Sequence, residues 1–193
     1  LHAKQQLDLA LRALTRAVAL LPGSADAAYR RAEVLAALGR ADDAIASYRG
    51  AADLAPGWAE PHLAIARLCA SLGRDEASLV PFRAAAALAP DDVEVHLGLA
   101  GALERLSRHE EAITSLRAAS RLAPDDAALY ARLGAACAEA SQWAEAAEAY
   151  QKVVLSAPSA ASFLGLARAR RATGDLAAAE QAFAEAAAAG GAF

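Results

Sequence analysis

Apolar positions along this chain fall into short stretches of two alternating kinds. Residues 25–58 show both. The stretch "ADAAYRRAEVLAAL" sets Ala28, Arg31, Ala32 and Leu35 on one side of a helix, and "GR" at 39–40 breaks it. The next stretch, "ADDAIASYRGAADLA", carries Ala44, Ile45, Tyr48, Ala51 and Leu54 at helical spacing. Asp42 and Asp43 stand in its first turn, where carboxylates favour the positive end of a helix. Pro56 prevents continuation. The pattern therefore predicts two helices joined by a tight turn and closed by a proline.

The same phrase recurs along the chain. Pro22, Pro56, Pro90, Pro124 and Pro158 are spaced by 34 residues, and a fixed period of that length marks a repeat protein. The breaks between paired helices read "LGR" at 72–74, "LSR" at 106–108 and "ASQ" at 140–142. The repeats are 25–58, 59–92, 93–126, 127–159 and 160–193, the last starting one residue early and ending at Gly190-Gly191, a C-cap signal. Residues 1–24 form a half repeat, because 4–21 match only a second helix. We therefore expect a single domain of about eleven helices over residues 1–193. Pro81 lies beyond the first turn of the helix expected at 75–88, lacks an N–H and clashes with the Ala77 carbonyl, so that helix is expected to bend there.

Several columns of this register resemble the tetratricopeptide repeat family. The small residues where paired helices cross are Ala32, Ala66, Ala100, Gly134 and Ala167. The second helix carries Ala44, Ala112, Ala146 and Ala179, then a large residue four positions on: Tyr48, Phe82, Leu116, Tyr150 and Phe183. Ala51, Ala85, Ala119 and Ala186 follow, with Val153 as a departure. Ser78 replaces the second-helix alanine once, and Ala28, His62, His96, Tyr130 and Phe163 stand where the family usually has an early Trp. The resemblance implies an all-α fold, an α-α superhelix: a right-handed solenoid of antiparallel helix pairs. It also implies a protein-interaction scaffold, with a peptide or protein segment held in a concave groove lined by first helices.

On that geometry the groove takes Tyr29, Arg30 and Glu33 from the first full repeat, then Leu63 and Arg67. Leu97, Gly101 and Arg105 come next, then Arg132, and finally Leu164, Arg168 and Arg171. Acids predominate early (Asp26, Glu33, Glu60, Glu94) and arginines late, with Leu63, Leu97 and Leu164 as apolar anchors. Such a face suits a segment with a charge gradient, its acidic part near Arg132, Arg168 and Arg171. Two specialisations of the family are disfavoured. Asn is absent and the only lysines are Lys4 and Lys152, so neither a Lys/Asn/Arg clamp nor an Asn ladder is present.

Composition narrows the classes further. Net charge is −4 with pI about 5.6, which argues against nucleic acid as a partner. No apolar, charge-free run is long enough to span a membrane. Residues 1–21 carry Lys4, Asp8, Arg12 and Arg16 at four-residue intervals, which reads as an amphipathic helix rather than a signal peptide. Cys69 and Cys137 lie two repeats apart, about 20 Å at ordinary helix spacing, whereas a disulfide needs about 7 Å between Cα atoms. They are read as small buried hydrophobes, which favours a cytoplasmic location.

His62 and His96 stand in adjacent repeats about 10 Å apart, too far to share a metal. No phosphate-loop, zinc-protease or nucleophile-elbow motif occurs. No metal, cofactor or catalytic residue is expected, and the chain itself is read as no enzyme. The sequence begins at Leu1, so a processed or partial chain is expected. A rival reading makes these repeats the N-terminal substrate-recruiting part of a larger enzyme, such as a glycosyltransferase, sulfotransferase or oxygenase. The apolar faces of the terminal helices suggest self-association.

Overall fold

The computed structural model describes residues 2–190. The chain is all-α, with eleven helices and no strand among the described residues. It divides into two compact units, Leu1–Asp91 and Asp92–Phe193.

The first unit holds α1 (His2–Leu20), α2 (Ala25–Ala37), α3 (Ala41–Leu54), α4 (Ala59–Ser71) and α5 (Asp75–Leu88). α2 packs on α3 and α4 on α5 as pairs, while α1–α2 and α3–α4 contacts stack them. Ala32 and Ala44 are wholly buried, and Leu35, Ile45, Tyr48, Ile65 and Cys69 close around them. Helix α5 continues through Pro81. Ser78, the hydroxyl in the alanine column, is fully buried and donates to the Asp75 carbonyl at 2.6 Å. That bond satisfies a polar group the column would otherwise strand in the core.

The second unit holds α6 (Val93–Arg105), α7 (His109–Leu122), α8 (Ala127–Glu139), α9 (Trp143–Ser156), α10 (Ala160–Ala172) and α11 (Leu176–Gly190). Its pairs are α6–α7, α8–α9 and α10–α11, and α8 also touches α10. The expected end of the last helix at Gly190-Gly191 is reached at Gly190; Gly191 lies outside the described residues. Ala100, Ala112, Leu116, Ala119, Ala146 and Ala167 are wholly buried. The columns read from the 34-residue period are thus the core, because each repeat meets its neighbours through the same positions.

Chain reversals between paired helices share one construction. Gly39, Gly73, Ser107, Ser141 and Gly174 all have φ between 57° and 86°. In the first of these turns Gly39 N–H donates to Ala36 O and Arg40 N–H to Leu35 O, both at 2.9 Å. The same two bonds recur at each break, as Ser107 N–H to Glu104 O and Arg108 N–H to Leu103 O do. This is the paired-bond ending of a helix around a left-handed residue.

Successive second helices are tied by ion pairs. In the first unit Arg74 at the start of α5 meets Asp42 of α3 at 2.5 Å, and it holds the Asp42 carboxyl below the usual carboxylate range. In the second unit Arg117 of α7 grips Glu145 of α9 through both carboxylate oxygens, Nε to Oε1 at 2.7 Å. The hydrogen bonds from Arg117 hold Glu145 low in turn. Both cysteines are buried free thiols. Burial pushes the Cys137 thiol up to about 11 and the Cys69 thiol in the same direction.

Candidate functional site

First helices expose one side in each unit, and the residues expected to bind a partner lie there. In the first unit, α2 supplies Tyr29, Arg30 and Glu33, and α4 supplies Leu63 and Arg67. Tyr29 is half-buried, its ring centroid 5.1 Å from Tyr48 and 4.7 Å from Trp58. Burial raises its pKa, as do Glu33 and Glu60, while Arg30 and Arg67 pull it down. These four charged side chains therefore gather around one aromatic group. Arg30 also bridges Asp26 at 3.4 Å and Glu33 at 3.5 Å. The face is of mixed sign rather than acidic, because Arg30 spends its charge on the acids of its own helix.

Trp58 escaped the sequence reading, although its column held a signal. Ser24, Asp92, Asp126 and Ser159 occupy the equivalent place before a first helix, and each accepts a backbone N–H at the helix start. Trp58 caps nothing and packs on Tyr29 instead. A helix start that gives up its cap forgoes about 1 kcal/mol.

In the second unit, α6 supplies Leu97, Gly101 and Arg105, α8 Arg132, and α10 Leu164, Arg168 and Arg171. Arg132 is committed. Its guanidinium bonds Glu104 at 2.9 Å and the Leu97 carbonyl at 3.5 Å. Gly101 lies beneath this crossing, where a Cβ would make ordinary contact, 3.6 Å, with the nitrogens of both Arg105 and Arg132. Leu97 packs against the core rather than standing free. Arg132 thus separates from Arg168 and Arg171, with which the sequence grouped it.

Arg168 and Arg171 open onto a cleft of about 610 Å3 between α8, α9 and α10. Glu139, Trp143, Tyr150 and Gly165 line it with them. Tyr150 forms the floor. A Cβ on Gly134 would meet its ring at 3.0 Å and one on Gly165 at 2.6 Å, so both glycines exist to admit the ring. Burial raises the Tyr150 pKa, opposed by Arg168 and aided by Cys137 and Glu139. Sequence reasoning did not place Trp143 at a site. Ala41, Asp75 and His109 hold its column one repeat apart, so a bulky indole there was the available sign.

Among the described residues, no three His, Cys, Asp or Glu side chains stand close enough to hold a metal ion. No helix among them is long and apolar enough to cross a membrane.

A tetratricopeptide repeat family model matches residues 3–57 and 132–192, and a second tetratricopeptide repeat model matches 76–137. The chain belongs to the tetratricopeptide repeat family. Its fold matches solved tetratricopeptide structures. One is YrrB, a tetratricopeptide protein with an unusual peptide-binding site, at TM-score 0.76 and 18% identity over 92% of each chain. MamA matches at TM-score 0.66 and 21% identity, covering 80% of this chain and 91% of that one. MamA 41-end from Desulfovibrio magneticus RS-1 matches at TM-score 0.66 and 21% identity over 84% of this chain and 92% of that one. At such identities the likeness is one of fold. No curated protein matches the sequence. Tetratricopeptide repeats make this protein an interaction scaffold.

Proposed function

We propose that this tetratricopeptide scaffold holds a peptide or protein segment against the first-helix face of its units. On the first unit the contacts are Tyr29, Arg30, Glu33, Leu63 and Arg67. On the second they are Leu97, Gly101, Arg105, Leu164, Arg168 and Arg171, with Arg132 as a structural brace rather than a ligand contact. The observation that carries the reading is the cleft of about 610 Å3 on that face of the second unit, walled by aromatic rings and two arginines. Clefts of this size with a few convergent polar groups are typical ligand sites. YrrB, which shares the fold, is described as carrying a peptide-binding site. The first unit supports the reading through Tyr29 and Trp58, amphipathic rings that present contact area at low entropic cost.

The test is selection of a random peptide display library on the immobilised protein, followed by affinity measurements with the enriched peptides. Arg67→Glu or Arg168→Glu should weaken binding by about 1 kcal/mol or more, because attraction becomes repulsion at a shared site. Arg49→Glu, on the outer helix α3, should leave it unchanged. Failure to enrich any peptide, or equal loss from Arg49→Glu, rejects the reading.

A further inference from the structure

We propose that the cleft between α8, α9 and α10 recognises an acidic side chain together with a neighbouring apolar one, within the body of a bound peptide. This inference rests on the scaffold reading above and names the ligand chemistry of one of its sites.

Charge is the first argument. Six arginines elsewhere are neutralised: Arg30, Arg40, Arg74, Arg108, Arg117 and Arg132 each hold a carboxylate. Arg168 and Arg171 have no ion pair among the described residues, and both are exposed at the same cleft. They stand three residues apart on α10, so their side chains emerge on one face as neighbours. Arg171 lies 5.8 Å from the Phe183 ring centroid. Guanidinium groups stack on rings through their faces, which leaves the N–H edge for a ligand. Two arginines against the single carboxylate of Glu139 leave the cleft positive.

Size and lining decide the rest. A cleft of about 610 Å3 exceeds what one carboxylate group fills. Trp143 and the Tyr150 ring supply apolar wall and floor beside the arginines. Gly165 gives the floor its depth, because any side chain there would collide with Tyr150. Positive charge next to aromatic surface suits an Asp or Glu side chain whose neighbour is aliphatic or aromatic. Arg170 serves as an internal control. It shares the helix and the charge, but its guanidinium is held by Gln151 at 2.6 Å and does not line the cleft.

The experiment uses the whole protein and peptides enriched from a random display library, resynthesised with amidated C-termini and followed by fluorescence anisotropy. Enriched peptides should contain an Asp or Glu beside an apolar residue, and replacing that acid by its amide should cost about tenfold or more in affinity. Arg168→Gln with Arg171→Gln should cause a similar loss and remove most of the salt dependence, whereas Arg170→Gln should change affinity by less than about twofold. Trp143→Ala should erase the preference for the apolar neighbour. The proposal is overturned if enriched peptides lack acids, or bind the double variant as well as the parent. It is equally overturned if they require a free C-terminal carboxylate, which the amidated arm detects. Those outcomes leave the scaffold reading standing; only a complete absence of enriched peptides removes both.

Discussion

Single residues decide where this scaffold is rigid and where it is open. Tyr150 is the clearest case. Its ring occupies the column of large second-helix residues, yet it lies between Gly134 and Gly165 of the two flanking first helices. Alanine at 165 would bring a Cβ to 2.6 Å from the ring, and the ring is braced on its other side by α8. Alanine raises helix propensity by about 1 kcal/mol over glycine, while overpacking costs about 1–3 kcal/mol. Gly165→Ala should therefore destabilise the protein by about 1 kcal/mol in urea titration, and the loss should shrink in a Tyr150→Leu background. A stabilised Gly165→Ala protein would mean that the ring is free to move aside.

Elements repeat, and so do their endings. Each first helix stops at a left-handed residue followed by the same two backbone bonds. Three of the five turns use glycine, and Ser107 and Ser141 fill the other two at φ 57° and 59°. A side chain in that conformation costs about 1–2 kcal/mol, so Ser107→Gly and Ser141→Gly should each raise stability by about 1 kcal/mol. Thermal melts of the single and double variants check this, with near-additive gains expected because the two turns belong to different repeats. Unchanged or lower melting temperatures would show that the hydroxyls compensate the strain. The turns were legible as breaks in "LSR" and "ASQ", because the hydrophobic period stops there. Which residue carries the positive φ was not, since serine has no intrinsic need for it.

At the scale of the molecule, coverage of the helices is uneven. Every helix from α2 to α11 has at least two buried residues, but α1 has none. Leu7, Leu11, Leu14 and Val18 remain half-buried along its apolar side. Leu11 packs on the first-unit core and α2 covers the stripe only in part, so a further neighbour could complete its burial. The protein should therefore self-associate in light scattering across a concentration series, and Leu7→Glu with Leu14→Glu should hold it monomeric. A parent that stays monomeric throughout the series rejects the idea.

Repetition explains how much of this protein its sequence determined alone. A 34-residue period forces equivalent positions into equivalent surroundings, so Ala32, Ala66, Ala100 and Ala167 could be assigned to the core before any coordinate was known. Helix number, turn positions and the exposed side of the first helices follow from the same constraint. Charge pairing does not repeat, and only the tertiary structure settled it. Arg132 and Arg168 looked alike in sequence. Arg132 reaches Glu104, 28 positions earlier and one first helix away. Arg168 has Tyr150 and an open cleft before it. Trp143 joined that cleft for a similar reason: its helix places the indole beside residues of α8 and α10 that no local pattern connects to it. Long side chains find partners by reach across neighbouring helices, and that reach is set by packing in three dimensions rather than by spacing along the chain.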